Sequence, residues 1–122
     1  MTYEEKVQRL WRYRQALRRE RLLKEELRQE KGREEGSEGE AAKSIARAED
    51  ELQEGIMRCS AARREIAVLI EGVPDLYDRE ILTRRYILGQ QWGKIARCMF
   101  MDERHIRRRA KRAVEEMETG GE

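Results

Sequence analysis

Cations cluster near the C-terminal end of the chain, in the stretch WGKIARCMFMDERHIRRRAKRA, which runs from Trp92 to Ala113. It carries eight basic residues and two acidic ones, interleaved with apolar residues at helical spacing. The planar guanidinium fork of arginine contacts phosphate or guanine oxygens in bidentate fashion. The chemistry that these residue types support is therefore the binding of a polyanion.

The segment that follows Asp102 divides into two faces when it is placed on a helical wheel of about 100° per residue. One narrow sector holds the apolar residues Ile106, Ala110, Ala113 and Met117. The opposite sector holds Arg104, Arg108 and Lys111. The pattern predicts a helix that is capped by Asp102, runs to about Met117, packs through its apolar side and presents cations on the other.

The net charge of +2 hides a strong local asymmetry. From Arg84 to Val114 the chain carries ten basic residues and two acidic ones. The alternative interpretation is a solvated helix face, which is the commonest fate of a charge run. Such a face interleaves acids and bases, as residues 4–31 do, whereas a locally concentrated positive charge favours a polyanionic partner.

Three short predicted helices position this surface. The first runs from Leu76 to Leu88, follows a break at Pro74 and a cap at Asp75, and ends at Gly89. The second runs from Gln91 to about Met99, and the third is the cationic helix. Short helices joined by turns of three or four residues, the last one rich in arginine, predict a helix-turn-helix over residues 74–117.

Two long predicted helices precede that module. Residues 4–31 contain no Gly or Pro, residues 32–40 form a glycine-rich and glutamate-rich connection that we expect to be flexible, and residues 41–71 follow a heptad pattern. The heptad positions are Ile45, Leu52, Cys59, Ile66 and Val73. This stripe requires a partner helix, either the first helix in an antiparallel hairpin or another chain in a coiled coil. The expected fold is all-α: a helical hairpin or coiled-coil arm (1–73), a small helix-turn-helix domain (74–117) and a frayed tail (118–122).

A set of apolar, basic and glycine residues recurs at fixed spacing through the C-terminal third: Arg79, Ile81, Leu82, Arg85, Tyr86, Gly89, Trp92, Ile95, Ala96, Met99, Arg104, Ile106, Arg108, Lys111, Arg112, Ala113 and Val114. Through these residues the C-terminal third resembles region four of bacterial sigma factors, the domain that binds the −35 promoter element. The whole layout is similar to the sigma-like phage proteins of the RinA and ArpU type, which act in late-gene transcription. One position departs from the pattern, because the turn Met99-Phe100-Met101 has no glycine.

The resemblance implies a phage or prophage transcriptional regulator that acts in the bacterial cytoplasm. Its implied DNA-facing residues are Glu103, Arg104, His105, Arg107 and Arg108, and we add Lys111 and Arg112 as phosphate contacts. Double-stranded DNA is the expected partner, with RNA polymerase and a second copy, bound through the arm, as further candidates. Two alternatives are a DNA-packaging protein of the small-terminase type and an interaction protein that binds polymerase alone.

Catalysis is not expected. The sequence has a single histidine, no glycine-rich phosphate loop and no acid–base constellation, so neither an enzyme nor a cofactor or metal site is predicted. Cys59 and Cys98 share no C-x-x-C spacing, and we expect two buried thiols. No apolar run approaches the length of a membrane span, so no membrane partner is expected.

Overall fold

The computed structural model describes residues 1–33 and 38–117, and in those residues it is all-α, which confirms the predicted class. One turn of π-helix, Thr83–Ile87, directly follows the third α-helix. The predicted flexible connection, 32–40, is too long, because Gly32 belongs to the first long helix and residues 38–40 belong to the second. Its residues 34–37 and the predicted frayed tail, 118–122, lie outside the described residues. The α-helices are α1 (Tyr3–Gly32), α2 (Glu38–Glu71), α3 (Leu76–Leu82), α4 (Trp92–Met99) and α5 (Glu103–Glu116).

Helices α1 and α2 pack along each other as an antiparallel hairpin. Ion pairs join Arg9 to Glu65 at 2.8 Å near one end and Lys31 to Glu49 at 3.8 Å near the other. The heptad stripe of α2 faces α1. Of the two partners that the stripe allowed, the structure contains the helix of the same chain.

Gly55 lets the two long helices approach closely. A Cβ atom at this position would lie 2.8 Å from Cδ1 of Leu23, closer than real Cβ contacts come. Leu23 and Cys59 are buried beside it. The small residues of the stripe therefore bring the helices together but leave a thin layer of apolar side chains between them.

The first turns of α1 and the last turns of α2, which together form the base of the hairpin, share one hydrophobic core with the three short helices. Leu10 of α1 is fully enclosed, as are Ile81 of α3, Ile95 of α4 and Ile106 of α5. Val73, in the break between α2 and α3, is also buried, so the chain enters the core where it changes direction. Asp75 then caps α3 as predicted, accepting hydrogen bonds from the backbone amides of Tyr77 and Asp78 at 2.8 and 3.1 Å.

The helix predicted from Leu76 to Leu88 is present from Leu76 to Ile87, but its last part, Thr83–Ile87, is π-helical instead of α-helical. The backbone amide of Leu88 donates to the carbonyl of Thr83 at 3.0 Å, five residues back, which is the π-helical spacing. Gly89 then adopts a left-handed conformation with φ of 71°, as a helix end requires. The Arg14 guanidinium lies against this glycine and donates to the carbonyl of Ile87 at 3.2 Å. The base of α1 thus holds the wide turn from outside.

Candidate nucleic-acid interface

Helix α5 buries the apolar side that the sequence predicts and exposes the cationic side. Its first turn is capped by Asp102, whose carboxylate accepts from the backbone amide of Arg104 at 3.3 Å. The helix ends at Glu116, and Met117 follows it as a buried residue. The side chains that fix its inward face are Ile106, Ala110, Ala113 and Val114.

A polar contact with α3 sets the orientation of α5. Nε of Arg109 donates to Asp78 at 2.8 Å, and Nη2 donates to Asp75 at 2.9 Å. Asp78 is a buried charged residue, so its charge is matched by a cation in the same enclosed space. The hydrogen bond from Arg109 to Asp78 raises the pKa of the arginine. Arg109 therefore belongs to the packing of the helix-turn-helix and not to its outward cluster.

The first turns of α1 lie beside the C-terminal half of α5. Nζ of Lys6 donates to the carbonyl of Glu115 at 2.7 Å. Nζ of Lys111 lies 5.7 Å from the centre of the Tyr3 ring, within the range of a cation–π contact. One of the predicted phosphate contacts, Lys111, is thus exposed but partly engaged by α1.

Four of the seven predicted site residues form an exposed group at the N-terminal half of α5 and have no side-chain hydrogen bond or ion pair within residues 1–33 and 38–117. They are Arg104, His105, Arg107 and Arg108, which we call the cation face. The other three lie around it. Glu103 turns toward Gly93 at the start of α4, Lys111 faces α1, and Arg112 lines a groove between α2 and the C-terminal end of α5.

Helix α4 adds two cations that the predicted site omits. Lys94 and Arg97 are both exposed on this helix. In helix-turn-helix proteins the helix that precedes the recognition helix crosses the phosphate backbone, where such side chains make contacts. Both belong to the excess of basic residues from Arg84 to Val114, so that excess could have indicated them as site residues.

The turn between α4 and α5 forms without glycine because Phe100 takes the left-handed conformation itself. Its φ and ψ are 55° and 43°, and its side chain is 95% exposed. The amide of Met101 donates to the carbonyl of Ala96 at 3.0 Å and closes the end of α4. A left-handed residue other than glycine costs roughly 1–2 kcal/mol, which the rest of the packed module has to offset.

Arg85 joins the hairpin to the helix-turn-helix. Its guanidinium lies 4.4 Å from the centre of one ring of Trp92 and 5.1 Å from that of Trp11. Nη1 donates to the carbonyl of Gln90 at 3.1 Å, while Nε is buried and has no hydrogen-bond partner in the described chain. Burial lowers the pKa of Arg85. Trp92 therefore packs against both the core and Arg85, and Arg85 is a positioning residue that the predicted site did not contain.

Comparison with protein-family models, with curated proteins and with solved structures finds no match for this chain. Within the described ranges, none of the helices has the length and apolar character that a membrane crossing needs. In the same ranges, no group of three His, Cys, Asp or Glu side chains could hold a metal ion. Cys59 is buried as expected, but the expectation for Cys98 is wrong, since α4 exposes it to solvent.

Proposed function

We propose that the protein is a transcriptional regulator that binds duplex DNA by inserting α5 into the major groove. One observation carries the proposal: a helix fixed in the core on one side presents the cation face on the other, without internal partners in the described chain. A rigid helix with free arginines near its start has the form of a recognition helix. The resemblance to sigma region four and to phage late-gene regulators agrees with this function.

A comparison with α1 argues against a merely solvated surface. Some exposed cations in α1 or directly after it pair with acidic side chains, as in Lys24–Glu20 and Arg33–Glu30 at 3.3 and 3.2 Å, and acidic residues are interspersed among the others along the helix. On α5 the only arginine with a carboxylate partner in the described chain is Arg109. Unpaired like charges on adjacent turns repel each other, so they suit a surface whose charge is neutralised from outside.

Arg104 and Arg108 are suited to base recognition. They lie one turn apart on the outward side of α5, near the helix start, where base edges come within reach. A bidentate contact between arginine and guanine gives roughly 1–3 kcal/mol of discrimination. Lys94, Arg97, Lys111 and Arg112 lie around this pair and supply the sequence-independent attraction to phosphates.

The decisive experiment is selection of bound sequences from random duplex DNA with the purified protein. Arg108→Ala should then weaken the selected site about ten- to a hundredfold. It should weaken a scrambled duplex much less, because several other cations bind phosphate. Arg28→Ala, which removes an exposed arginine of α1 near the far end of the hairpin, is the matched control and should change neither affinity.

The outcomes separate three conclusions. Equal losses on the two duplexes would show that Arg108 contacts only the backbone. The absence of binding to any duplex would overturn the proposal, and binding to RNA polymerase alone would then favour the interaction protein. If binding occurs, alanine at Lys111 and Arg112 should reduce the salt slope by about 0.9 for each phosphate that the variant no longer neutralises, without changing the preferred sequence.

A further inference from the structure

The side of α2 that points away from α1 carries a second stripe of exposed residues. On a wheel of about 100° per residue they all fall within about 40° of Met57, opposite Cys59 and Ile66, which face α1. Met57 is 63% exposed and Val68 is 68% exposed, although both are large apolar residues. The members of this outer stripe are Lys43, Ala46, Asp50, Gln53, Met57, Ala61, Arg64, Val68 and Glu71.

The outer stripe has complementary residues at equal distances from Met57. Seven residues before it is Asp50, and seven after it is Arg64. Fourteen residues before it is Lys43, and fourteen after it is Glu71. None of these four charged side chains has a hydrogen bond or an ion pair in the described parts of the chain. The stripe therefore has unused charges whose signs reverse across its centre.

A twofold axis at Met57 would turn this reversal into complementarity. In a symmetric antiparallel pair, a residue n positions before the axis meets the residue n positions after it on the other copy. Asp50 of each copy would then meet Arg64 of the other, and Lys43 would meet Glu71. A parallel pair in register would set Asp50 against Asp50 and Arg64 against Arg64, so the charge pattern selects the antiparallel arrangement.

The spacing also fits a supercoiled helix pair. The four charged residues and Met57 lie seven apart, which keeps them on one seam when two helices wind around each other with a left-handed twist. From Lys43 to Glu71 the seam is about 42 Å long at 1.5 Å per residue. Ala46 and Val68, at equal distances from the axis, add an apolar contact near each end.

We infer that a second copy of this chain binds the outer stripe, forming an antiparallel α2–α2 dimer centred on Met57. This differs from the coiled coil expected from the stripe of Ile45, Leu52 and Cys59, because α1 already covers that stripe. The apolar part of the outer stripe is small and its charges lie near solvent, so the dimer is weak and dissociates as salt rises. The inference is independent of DNA binding.

Sedimentation equilibrium of the full chain at low salt tests the inference through charge reversal. The unmodified protein should form a reversible dimer. Asp50→Arg alone and Arg64→Asp alone should each weaken it at least about tenfold, because every reversal replaces two attractions by two repulsions. Combining both reversals should restore the dimer. Glu51→Arg with Arg63→Asp, on the same helix but off the stripe, is the control and should leave the dimer unchanged.

A monomer up to millimolar concentration overturns the inference, as does a double reversal that stays monomeric. Circular dichroism checks that every variant keeps its helices, since all the changed side chains are exposed.

Cysteine substitution tests the register. In a Cys98→Ser background, Met57→Cys should form a disulfide-linked dimer under mild oxidation, because residue 57 lies next to its own copy at the axis. Asp50→Cys in the same background should not, because the two copies of residue 50 would be about 21 Å apart along the seam, well beyond disulfide reach. Preferential cross-linking of Asp50→Cys would indicate a parallel pair and overturn the antiparallel arrangement.

Discussion

The two ends of the hairpin are built from the same two helices but differ in depth of burial. At the base, Leu10 of α1 and Ile66 and Ile70 of α2 belong to the common core. At the tip, residues 24–33 and 39–54, no side chain is buried. The reason is geometric: two helices alone leave each other's flanks open, whereas at the base α3, the π-helical turn and α5 cover them. A heptad pattern thus indicates which side faces a partner, but a third element decides how much is buried.

The ion pairs near the two ends also differ in their exposure to solvent. Near the base, Arg109 and Asp78 form an ion pair whose side chains are 18% and 10% exposed. At the tip, Lys31 and Glu49 are 57% and 54% exposed. Solvent screens the second pair far more than the first. We therefore expect stability to reside in the base and the tip to contribute little.

Truncation of an apolar side chain should give the largest difference between the two ends. Leu10→Ala removes a fully enclosed side chain and should lower the free energy of unfolding by about 2–5 kcal/mol. Leu27→Ala makes the same change at a half-buried position of the tip and should lower it by less than about 1 kcal/mol. Urea denaturation of both variants gives the two values, and equal losses would mean that the tip is as well packed as the base.

The ion pair between α3 and α5 should give the second largest effect. Arg109→Met leaves Asp78 buried without its cation and should destabilise the fold by about 3 kcal/mol. Adding Asp78→Leu removes the unpaired charge and should recover part of the loss. Thermal unfolding of the single and double variants measures both effects. A single variant that unfolds like the unmodified protein would show that Asp78 is hydrated despite its burial.

Low pH should lower the free energy of unfolding of the base of the hairpin, because Asp75 becomes protonated. The backbone amide of Asp78 donates to Asp75 and, with the amide of Tyr77 and the guanidinium of Arg109, lowers its pKa below the ordinary 3.8. Because the pKa is lower in the folded state, the stabilisation is present above that ordinary value and is lost as pH falls through the folded one.

Asp75→Asn should therefore flatten the loss of stability below about pH 4, as measured by urea midpoints at several pH values. Glu26→Gln, which changes an exposed carboxylate of the tip, serves as the control. An equally steep acid loss in Asp75→Asn would place the acid-sensitive group elsewhere.

Surface ion pairs should give the smallest effects, but the pair at the base should still have a larger coupling energy than the pair at the tip. Arg9 and Glu65 lie 2.8 Å apart near the base, with the arginine side chain 21% exposed. Double-mutant cycles should give this pair about 0.5–1 kcal/mol, and the Lys31–Glu49 pair less than about 0.3 kcal/mol. A larger coupling at the tip would reverse the ranking.

The local features were predictable because they depend on neighbours in sequence. Asp75 and Asp102 cap helices as expected, and the inward sides of α2 and α5 follow from periodicity alone. The π-helical turn at Thr83–Ile87 was not predictable, because nothing in the pattern of those residues distinguishes it from α-helix and Arg14, far away in the chain, holds its end. The same holds for Arg85, whose aromatic neighbour Trp11 belongs to another helix.

The candidate site was predictable as a face but not in its detail. The wheel identified Arg104 and Arg108, the resemblance added the other two residues of the cation face, and the structure leaves all four exposed. The sequence could not separate Lys111 and Arg112 from that group, because their neighbours, Tyr3 for the first and the groove beside α2 for the second, come from the arm. Arg104 and Arg108 as base contacts remain a prediction.

Trp11 and Trp92 both lie beside Arg85, and their position determines which part of the protein intrinsic fluorescence can monitor. These are the only two tryptophans of the chain, and no aromatic residue lies between Tyr13 and Tyr77. Intrinsic fluorescence therefore monitors the junction between the hairpin and the short helices and does not respond to unfolding of the outer half of the hairpin. Far-ultraviolet ellipticity, in contrast, measures the helix content of both long helices along their whole length. If the tip melts first, ellipticity will fall while the emission spectrum stays unchanged, and the two optical signals will trace separate transitions in one polypeptide.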